Sequence, residues 1–160
     1  MVDKIIKFDD LEESVKKIKQ KSETIILVGG CFDVLHEGHL RFLKNAKNLN
    51  GKLIVALEPD HSITKLKGKE RPINSQISRA KILSNLPETD IIILLPQLSG
   101  FYDYFRLVQK IKPDIIAITK GDPRKSEKEQ QVKENGGEVV EVINRIKKYS
   151  TTKSIKKNKL

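Results

Sequence analysis

The alternation of short aliphatic runs with stretches of helical periodicity is the feature that most constrains the fold of this 160-residue chain. The runs predict five β-strands, at residues 24–29, 52–57, 90–95, 114–118 and 138–143. Four of these runs are almost continuously apolar, which is typical of parallel strands covered on both faces. The last run alternates between apolar and polar residues, so we expect it nearer an edge of the sheet.

Helical patterns separate the predicted strands. Apolar residues recur at helical spacing in four segments: Leu11, Val15 and Ile18; Leu40, Leu43, Ala46 and Leu49; Ile77, Ala80, Leu83 and Leu86; and Phe101, Phe105, Val108 and Ile111. A polar helix is predicted at residues 125–134 and a short one from Ser150. This alternation predicts βαβ units, and therefore a single α/β domain with a Rossmann-like, doubly wound, five-stranded parallel sheet. Residues 1–22 would form an N-terminal helical extension, and residues 150–160 a C-terminal segment with a basic tail.

The composition argues against disordered, membrane-spanning and disulfide-bonded proteins. The apolar fraction of 38% argues against disorder, and no apolar run is long enough to cross a bilayer. Cys31 is the single cysteine, so an intrachain disulfide framework is excluded, and we expect a cytoplasmic protein without a membrane partner. The formal net charge of +10 favours anionic partners such as phosphates, although a lysine-rich surface alone would give the same charge.

The loop after the first predicted strand holds the unusual residues. It reads GCFDVLHEGH from Gly30 to His39, and it contains two of the three histidines of the chain. In a doubly wound sheet, ligands bind at the carboxyl ends of the strands, and a helix N-terminus attracts phosphate. Imidazoles at i and i+3 can reach one anion there, and Gly38 leaves room for it. The loop therefore predicts a phosphate-binding site.

The sequence gives less support to two other roles for the residues of this loop, a zinc site and a cysteine nucleophile. Zinc needs three or four ligands, and only His61 and Cys31 could join the pair, at spacings that do not support a site. We therefore predict no metal bound by protein side chains. A nucleophilic role for Cys31 lacks a base and an orienting group, which favours packing instead.

The segment GCFDVLHEGH resembles the HxGH signature of the cytidylyltransferase-like nucleotidyltransferases, and the likeness extends over nearly the whole chain. Four later segments resemble the branch of D-glycero-β-D-manno-heptose 1-phosphate adenylyltransferases, the ADP-heptose synthase branch: KLIVALEPDHSITKLKGKERP at 52–72, KGDP at 120–123, ENGGEVVEV at 134–142 and STTKSI at 150–155. The signature and the late STT segment indicate the type of reaction. The other segments favour a sugar phosphate as acceptor.

The resemblance implies a role for each matching residue. His36, His39 and Lys67 would be catalytic, stabilising the triphosphate in the transition state. The implied nucleotide-binding residues are Gly30, Cys31, Phe32, Gly38, Gly121, Asp122, Ser150, Thr151 and Thr152. Asp33, Arg79 and Arg145 would contact the substrate or its phosphate.

The implied reaction transfers a nucleoside monophosphate, AMP from ATP in the heptose branch, to a phosphorylated sugar, with Mg²⁺ carried by the triphosphate. Glycerol-3-phosphate cytidylyltransferase, which uses CTP, and FAD synthetase are the alternatives within the family. A basic module that binds nucleotide or nucleic acid without catalysis is the alternative from another class. Aromatic residues make up only 5% of the chain and no RNA-binding signature occurs, which disfavours nucleic acid. A homodimer is compatible with the N-terminal helix.

Overall fold

Six parallel strands form one sheet in the computed structural model, which describes residues 3–145. The strands are β1 (Ile5–Lys7), β2 (Ile25–Gly30), β3 (Lys52–Leu57), β4 (Ile91–Leu94), β5 (Ile115–Thr119) and β6 (Glu138–Ile143). Their order across the sheet is β1-β4-β3-β2-β5-β6. The parallel, doubly wound prediction is confirmed, and the alternating last strand does lie at an edge.

The predicted number of strands, five, is wrong, because β1 adds a sixth. This strand has only three residues, which is too short to show a pattern of its own. It is held by parallel pairing with β4, where Ile5 lies opposite Ile92 and Lys7 opposite Leu94. The N-terminal segment is therefore part of the sheet as well as a helix.

The described part of the chain has six α-helices, which connect the strands: α1 (Leu11–Gln20), α2 (Glu37–Lys47), α3 (Asp60–Lys67), α4 (Gln76–Ser84), α5 (Gly100–Ile111) and α6 (Lys125–Lys133). A single 3₁₀ turn at Phe8–Asp10 precedes α1. Sequence patterning predicts all of them except α3. That helix buries only Ile63, so it shows no apolar stripe.

The helices cover both faces of the sheet. One hydrophobic cluster joins α1, α5 and α6 to residues such as Leu27 and Ile116, and the other joins α2 and α4 to residues such as Val28 and Val55. Leu27 and Val28 are neighbours in β2 and point to opposite faces, as the two-residue period of a strand requires. No helix in the part of the chain that the structure describes is long and apolar enough to span a membrane.

The buried stripe agrees with the predicted one throughout α1 but only in part in α4, where Ala80 and Leu83 are buried as predicted. Leu11, Val15 and Ile18 are all buried, as predicted. Ile77 was expected to face inward, yet 46% of its surface is exposed, and Arg79 lies inside instead. The stripe of α4 is thus rotated toward the carboxyl ends of β2 and β3, where the guanidinium of Arg79 finds backbone carbonyls.

The reversal of strand order places the expected ligand site. The chain runs from β2 to β3 and β4 on one side and returns through β5 and β6 on the other. In doubly wound sheets, ligands bind in the crevice beyond the carboxyl ends of the strands at this reversal. Here that crevice lies at Gly30 of β2 and Thr119 of β5.

We expect Leu11→Ala to lower the free energy of unfolding by about 2–5 kcal/mol, because it leaves a cavity between α1 and the sheet. Leu66→Ala is the matched control, since Leu66 on α3 is 72% exposed and Leu11 only 1%. Urea denaturation followed by circular dichroism measures both. Equal effects for the two variants would contradict the packing of α1 into the core.

Candidate active site

His36 and His39 form a reciprocal capping pair at the start of α2. The backbone N–H of His39 donates to Nδ1 of His36, and the backbone N–H of His36 donates to Nδ1 of His39, both at 3.3 Å. The two rings stack with their centroids 3.8 Å apart. This geometry lets the two histidines cap the helix through one ring nitrogen and face a ligand with the other.

The capping bonds determine which ring nitrogen carries the proton. Each Nδ1 accepts a hydrogen bond, so a neutral ring must hold its proton on Nε2. The two imidazoles therefore present Nε2–H donors at the helix N-terminus, where backbone N–H groups also favour an anion. A doubly protonated ring would place an Nδ1–H against a backbone N–H.

The electrostatics of the pair agree with neutral rings. Burial, the neighbouring His36 and the charge of Lys67 lower the pKa of His39 to about 3. Burial and Lys67 also lower the pKa of His36. The two histidines thus act as neutral donors in the free protein. A bound triphosphate would raise both pKa values.

A cavity of about 510 Å³ opens at this helix terminus, between the carboxyl ends of β2 and β5. Most of the predicted site residues line it: Gly30, Cys31, Phe32, His36, Gly38, His39, Lys67, Gly121, Asp122 and Arg145. Lys120 and Lys128, which sequence reasoning missed, line it as well. Among the lining residues that the structure describes, the four cations Lys67, Lys120, Lys128 and Arg145 face one acid, Asp122. The cavity is suited to a polyanion.

The backbone of the histidine loop approaches the cavity closely. Phe32 adopts a positive φ of 46°, and its buried ring lies 5.3 Å from the ring of His39. A Cβ on Gly30 would come within 2.8 Å of the Phe32 ring, so a larger residue there would displace that ring. Burial raises the pKa of the Cys31 thiol despite nearby Lys67, which keeps it protonated and unsuited to nucleophilic attack.

The structure does not bring Asp33 to the cavity, in contrast to its predicted substrate contact. Its carboxylate is buried and accepts hydrogen bonds from Arg71 Nε at 2.8 Å and from the backbone N–H groups of Ile73 and Asn74. Burial opposes ionisation, but these donors hold the pKa of Asp33 below its usual value. Asp33 thus fixes the loop before α4 against the histidine loop.

Arg79 likewise lies behind the cavity rather than in its wall. Its side chain is fully buried and donates to the carbonyls of Cys31 and Glu58, each at 2.8 Å, and to that of Asn74 at 3.0 Å. It also pairs with the Asp60 carboxylate at 2.7 Å. Four of its five N–H donors are thus engaged inside the protein, so this geometry gives Arg79 a positioning role.

The opposite wall of the cavity is the turn between β5 and α6. Gly121 has a φ of +85°, which glycine tolerates readily. Asp122 accepts from Lys128 Nζ at 2.6 Å and from the backbone N–H of Arg124 at 2.8 Å. The predicted phosphate contacts Ser150, Thr151 and Thr152 lie outside the described residues.

Within residues 3–145, no three His, Cys, Asp or Glu side chains are arranged to hold a metal ion. Asp122, the acid in the cavity wall, is already engaged by Lys128 and Arg124. A divalent cation that arrives with its own phosphate ligands fits this donor set better than one held by protein side chains.

A second cavity of about 580 Å³ lies beyond the same end of β2, on the α5 and α6 side. Glu58, directly after β3, and Tyr104, on α5, lie in its wall. The Tyr104 hydroxyl donates to Glu58 Oε1 at 2.7 Å. Sequence reasoning missed this pair, because 46 positions separate its members and only the sheet brings them together.

Replacing Arg79 with leucine is expected to cost about 3–5 kcal/mol in the free energy of unfolding, because it leaves the Cys31, Glu58 and Asn74 carbonyls without their donor. Arg106→Leu is the control, since Arg106 on α5 is 68% exposed, and its loss should change stability by less than about 1 kcal/mol. Chemical denaturation measures both. Similar stabilities of the two variants would contradict the role of Arg79.

The histidine pair also predicts a pH dependence of stability. The folded-state pKa of His39 lies below its unfolded value, so its contribution is present above about pH 6.5 and is lost as pH falls toward 3. The free energy of unfolding should fall more steeply over this range in the wild type than in His39→Gln, which takes up no proton. Parallel pH profiles from urea denaturation would contradict the neutral capping pair.

Comparison with known proteins adds to this geometry. The model of the cytidylyltransferase-like family matches residues 27–158. The chain is 38% identical over 155 residues to a bifunctional protein HldE of Actinobacillus pleuropneumoniae and 37% identical over 153 residues to that of Haemophilus influenzae. These alignments cover 96% and 94% of this chain but 31% of either relative. The chain thus spans about a third of the length of these relatives.

Two solved structures resemble this chain in fold. A lipopolysaccharide core biosynthesis protein from Thermoplasma volcanium is 32% identical, with a TM-score of 0.59, and the match covers 80% of this chain and 99% of that one. A pantoate-beta-alanine ligase from Francisella tularensis, 17% identical with a TM-score of 0.62 over 97% of this chain and 77% of its own, shares the fold. By the family match over most of its length, the chain belongs to the cytidylyltransferase-like family.

Proposed function

We propose that this protein transfers AMP from ATP to a phosphorylated sugar such as heptose 1-phosphate and releases pyrophosphate. The observation that carries the proposal is the pair of Nε2–H donors at the N-terminus of α2, in a cavity lined by four cations and one engaged acid. The similarity to a lipopolysaccharide core biosynthesis protein and to the HldE proteins supports a sugar phosphate as the acceptor.

The reaction needs positioning and charge stabilisation more than acid–base catalysis. A phosphate oxygen of the acceptor attacks the α-phosphorus of ATP in line, a new P–O bond forms, and the bond to the β-phosphate oxygen breaks as pyrophosphate leaves. The attacking phosphate is already ionised, so no general base is required. Preorganised donors that face the developing charge supply the main stabilisation.

Different residues of the first cavity contribute to this positioning and charge stabilisation. His36 and His39 donate through Nε2 to the phosphates, and the first N–H groups of α2 do the same through the backbone. Lys67, at the end of α3, brings a mobile positive charge to the same place, close enough to affect the pKa values of both histidines. Gly121 and Asp122 border the side of the cavity that we assign to the nucleoside.

Mg²⁺ would enter with ATP. The donor set of the cavity is basic, so the ion keeps water and triphosphate oxygens as its ligands rather than a cage of carboxylates. Its contribution would be to neutralise charge on the phosphates. The protein residues would orient the triphosphate and supply the remaining charge stabilisation.

A screen of ATP, CTP, GTP and UTP against phosphorylated acceptors, with pyrophosphate release as the readout, tests the proposal. ATP with heptose 1-phosphate should give the highest kcat/KM. Preference for CTP with glycerol 3-phosphate, or for ATP with FMN, would contradict the sugar assignment while keeping nucleotidyl transfer. Salt-dependent RNA binding with no pyrophosphate release would contradict both.

In the same assay, His39→Ala should lower kcat by at least about 10²-fold, the scale for removing one preorganised donor. His61→Ala is the matched control, because His61 is exposed on α3 and does not line the cavity. Thermal unfolding verifies that both variants are folded. A folded His39→Ala protein with a rate within about twofold of the wild type would contradict the assigned role.

A further inference from the structure

The second cavity, with Glu58 and Tyr104 in its wall, adjoins the first. Gly29, Gly30 and Lys128 line both cavities. The first lies on the side of α2 and the second on the side of α5 and α6, so they flank the carboxyl end of β2. Lys128 borders both cavities on the side of α6. A molecule that occupied the second cavity would have one end close to the triphosphate site.

Glu58 in this cavity has unmet hydrogen-bonding capacity. Its Oε1 accepts from the Tyr104 hydroxyl, but its Oε2 is buried and has no hydrogen-bond partner. A buried polar atom without a partner is destabilising, and such atoms are rare in folded proteins. Burial accordingly raises the pKa of Glu58. The missing partner can come from a ligand that enters the cavity.

The walls of the cavity indicate the chemistry of that ligand. Aliphatic side chains such as Leu27, Ala56 and Val108 line the cavity together with the polar groups of Glu58, Gln97 and Tyr104. The charged side chains that also border it are Lys65, Arg124, Glu127 and Lys128. A sugar ring matches such a surface, because its C–H faces are apolar and its hydroxyls donate and accept hydrogen bonds. The volume of about 580 Å³ falls within the range of small-molecule sites.

We propose that the second cavity is the acceptor subsite, in which Glu58 and Tyr104 bind hydroxyl groups of the sugar while its phosphate extends past Gly29 and Gly30 toward the α-phosphate of ATP. This inference rests on the proposed function. It adds a binding position for the acceptor, and it assigns the selection of a polyhydroxylated acceptor to Glu58 and Tyr104. Lys128, which borders both cavities, then lies beside the acceptor phosphate.

Three conservative variants test the subsite by kinetics. With MgATP saturating and heptose 1-phosphate varied, Glu58→Gln and Tyr104→Phe should raise the acceptor KM roughly tenfold, the scale of a lost hydrogen bond to a buried polar group. Tyr102→Phe is the matched control, because Tyr102 lies on the same helix, is 71% exposed and does not line the cavity. Calorimetry with α,β-methylene-ATP should give the same Kd for all four proteins.

Deoxy acceptors separate hydroxyl binding from a merely structural effect. A monodeoxy analogue of the sugar 1-phosphate that lacks the recognised hydroxyl should have a raised KM in the wild type but no further rise in Glu58→Gln. This non-additivity identifies a direct interaction. Additive losses for every analogue, or an unchanged acceptor KM in both variants, would overturn the inference even when the wild type transfers AMP.

Direct binding distinguishes this failure from failure of the proposed function. If the wild type releases no pyrophosphate but binds heptose 1-phosphate in calorimetry, weaker binding by Glu58→Gln and Tyr104→Phe supports the subsite, and equal binding overturns it. If the wild type neither reacts with the sugar phosphate nor binds it, both the proposed function and the subsite are overturned.

Discussion

The buried guanidinium of Arg79 is the interaction on which the arrangement of this site depends. It is bonded to the carbonyl of Cys31 in the histidine loop, to the carbonyl of Glu58 after β3, and to the carboxylate of Asp60 at the start of α3. These three segments carry, in order, the histidine pair, Glu58 and Lys67. One side chain thus sets the relative positions of groups far apart in the sequence.

A second constraint acts within the histidine loop. Because each backbone N–H of the pair bonds to the Nδ1 of the other residue, the rings are held stacked, and their tautomer follows from the same two bonds. Capping and ligand binding use opposite nitrogens of each ring, so the pair can perform both without conflict. This explains why two histidines stand at i and i+3, where a serine or an aspartate would serve for capping alone.

The sequence predicted the features that depend on local patterns. The aliphatic runs gave five of the six strands, and the spacing of GCFDVLHEGH predicted a phosphate site at the end of β2, where the structure places the first cavity. It missed β1, which depends on pairing with β4, and α3, which buries a single side chain. Both elements owe their stability to partners distant in the chain.

Two predicted site residues lie outside the cavity wall for a similar reason. Asp33 and Arg79 lie beside the functional loop in sequence or in space, yet their side chains point into the protein, where they bond to Arg71, to loop carbonyls and to Asp60. The rotation of α4 that buries Arg79 and exposes Ile77 was not apparent from spacing, because Ile77 fitted the apolar stripe equally well. Glu58, Tyr104 and Lys128 could be recognised only when the sheet had brought their elements together.

We propose that nucleotidyl transfer takes place at the carboxyl end of β2, with the nucleotide in the first cavity and the acceptor in the second. A crystal structure with the ADP-sugar product bound tests it most directly. We expect the adenosine in the first cavity, the diphosphate within hydrogen-bond distance of Nε2 of His36 and His39, and the sugar beside Glu58 and Tyr104. A diphosphate bound away from the histidine pair would contradict the account.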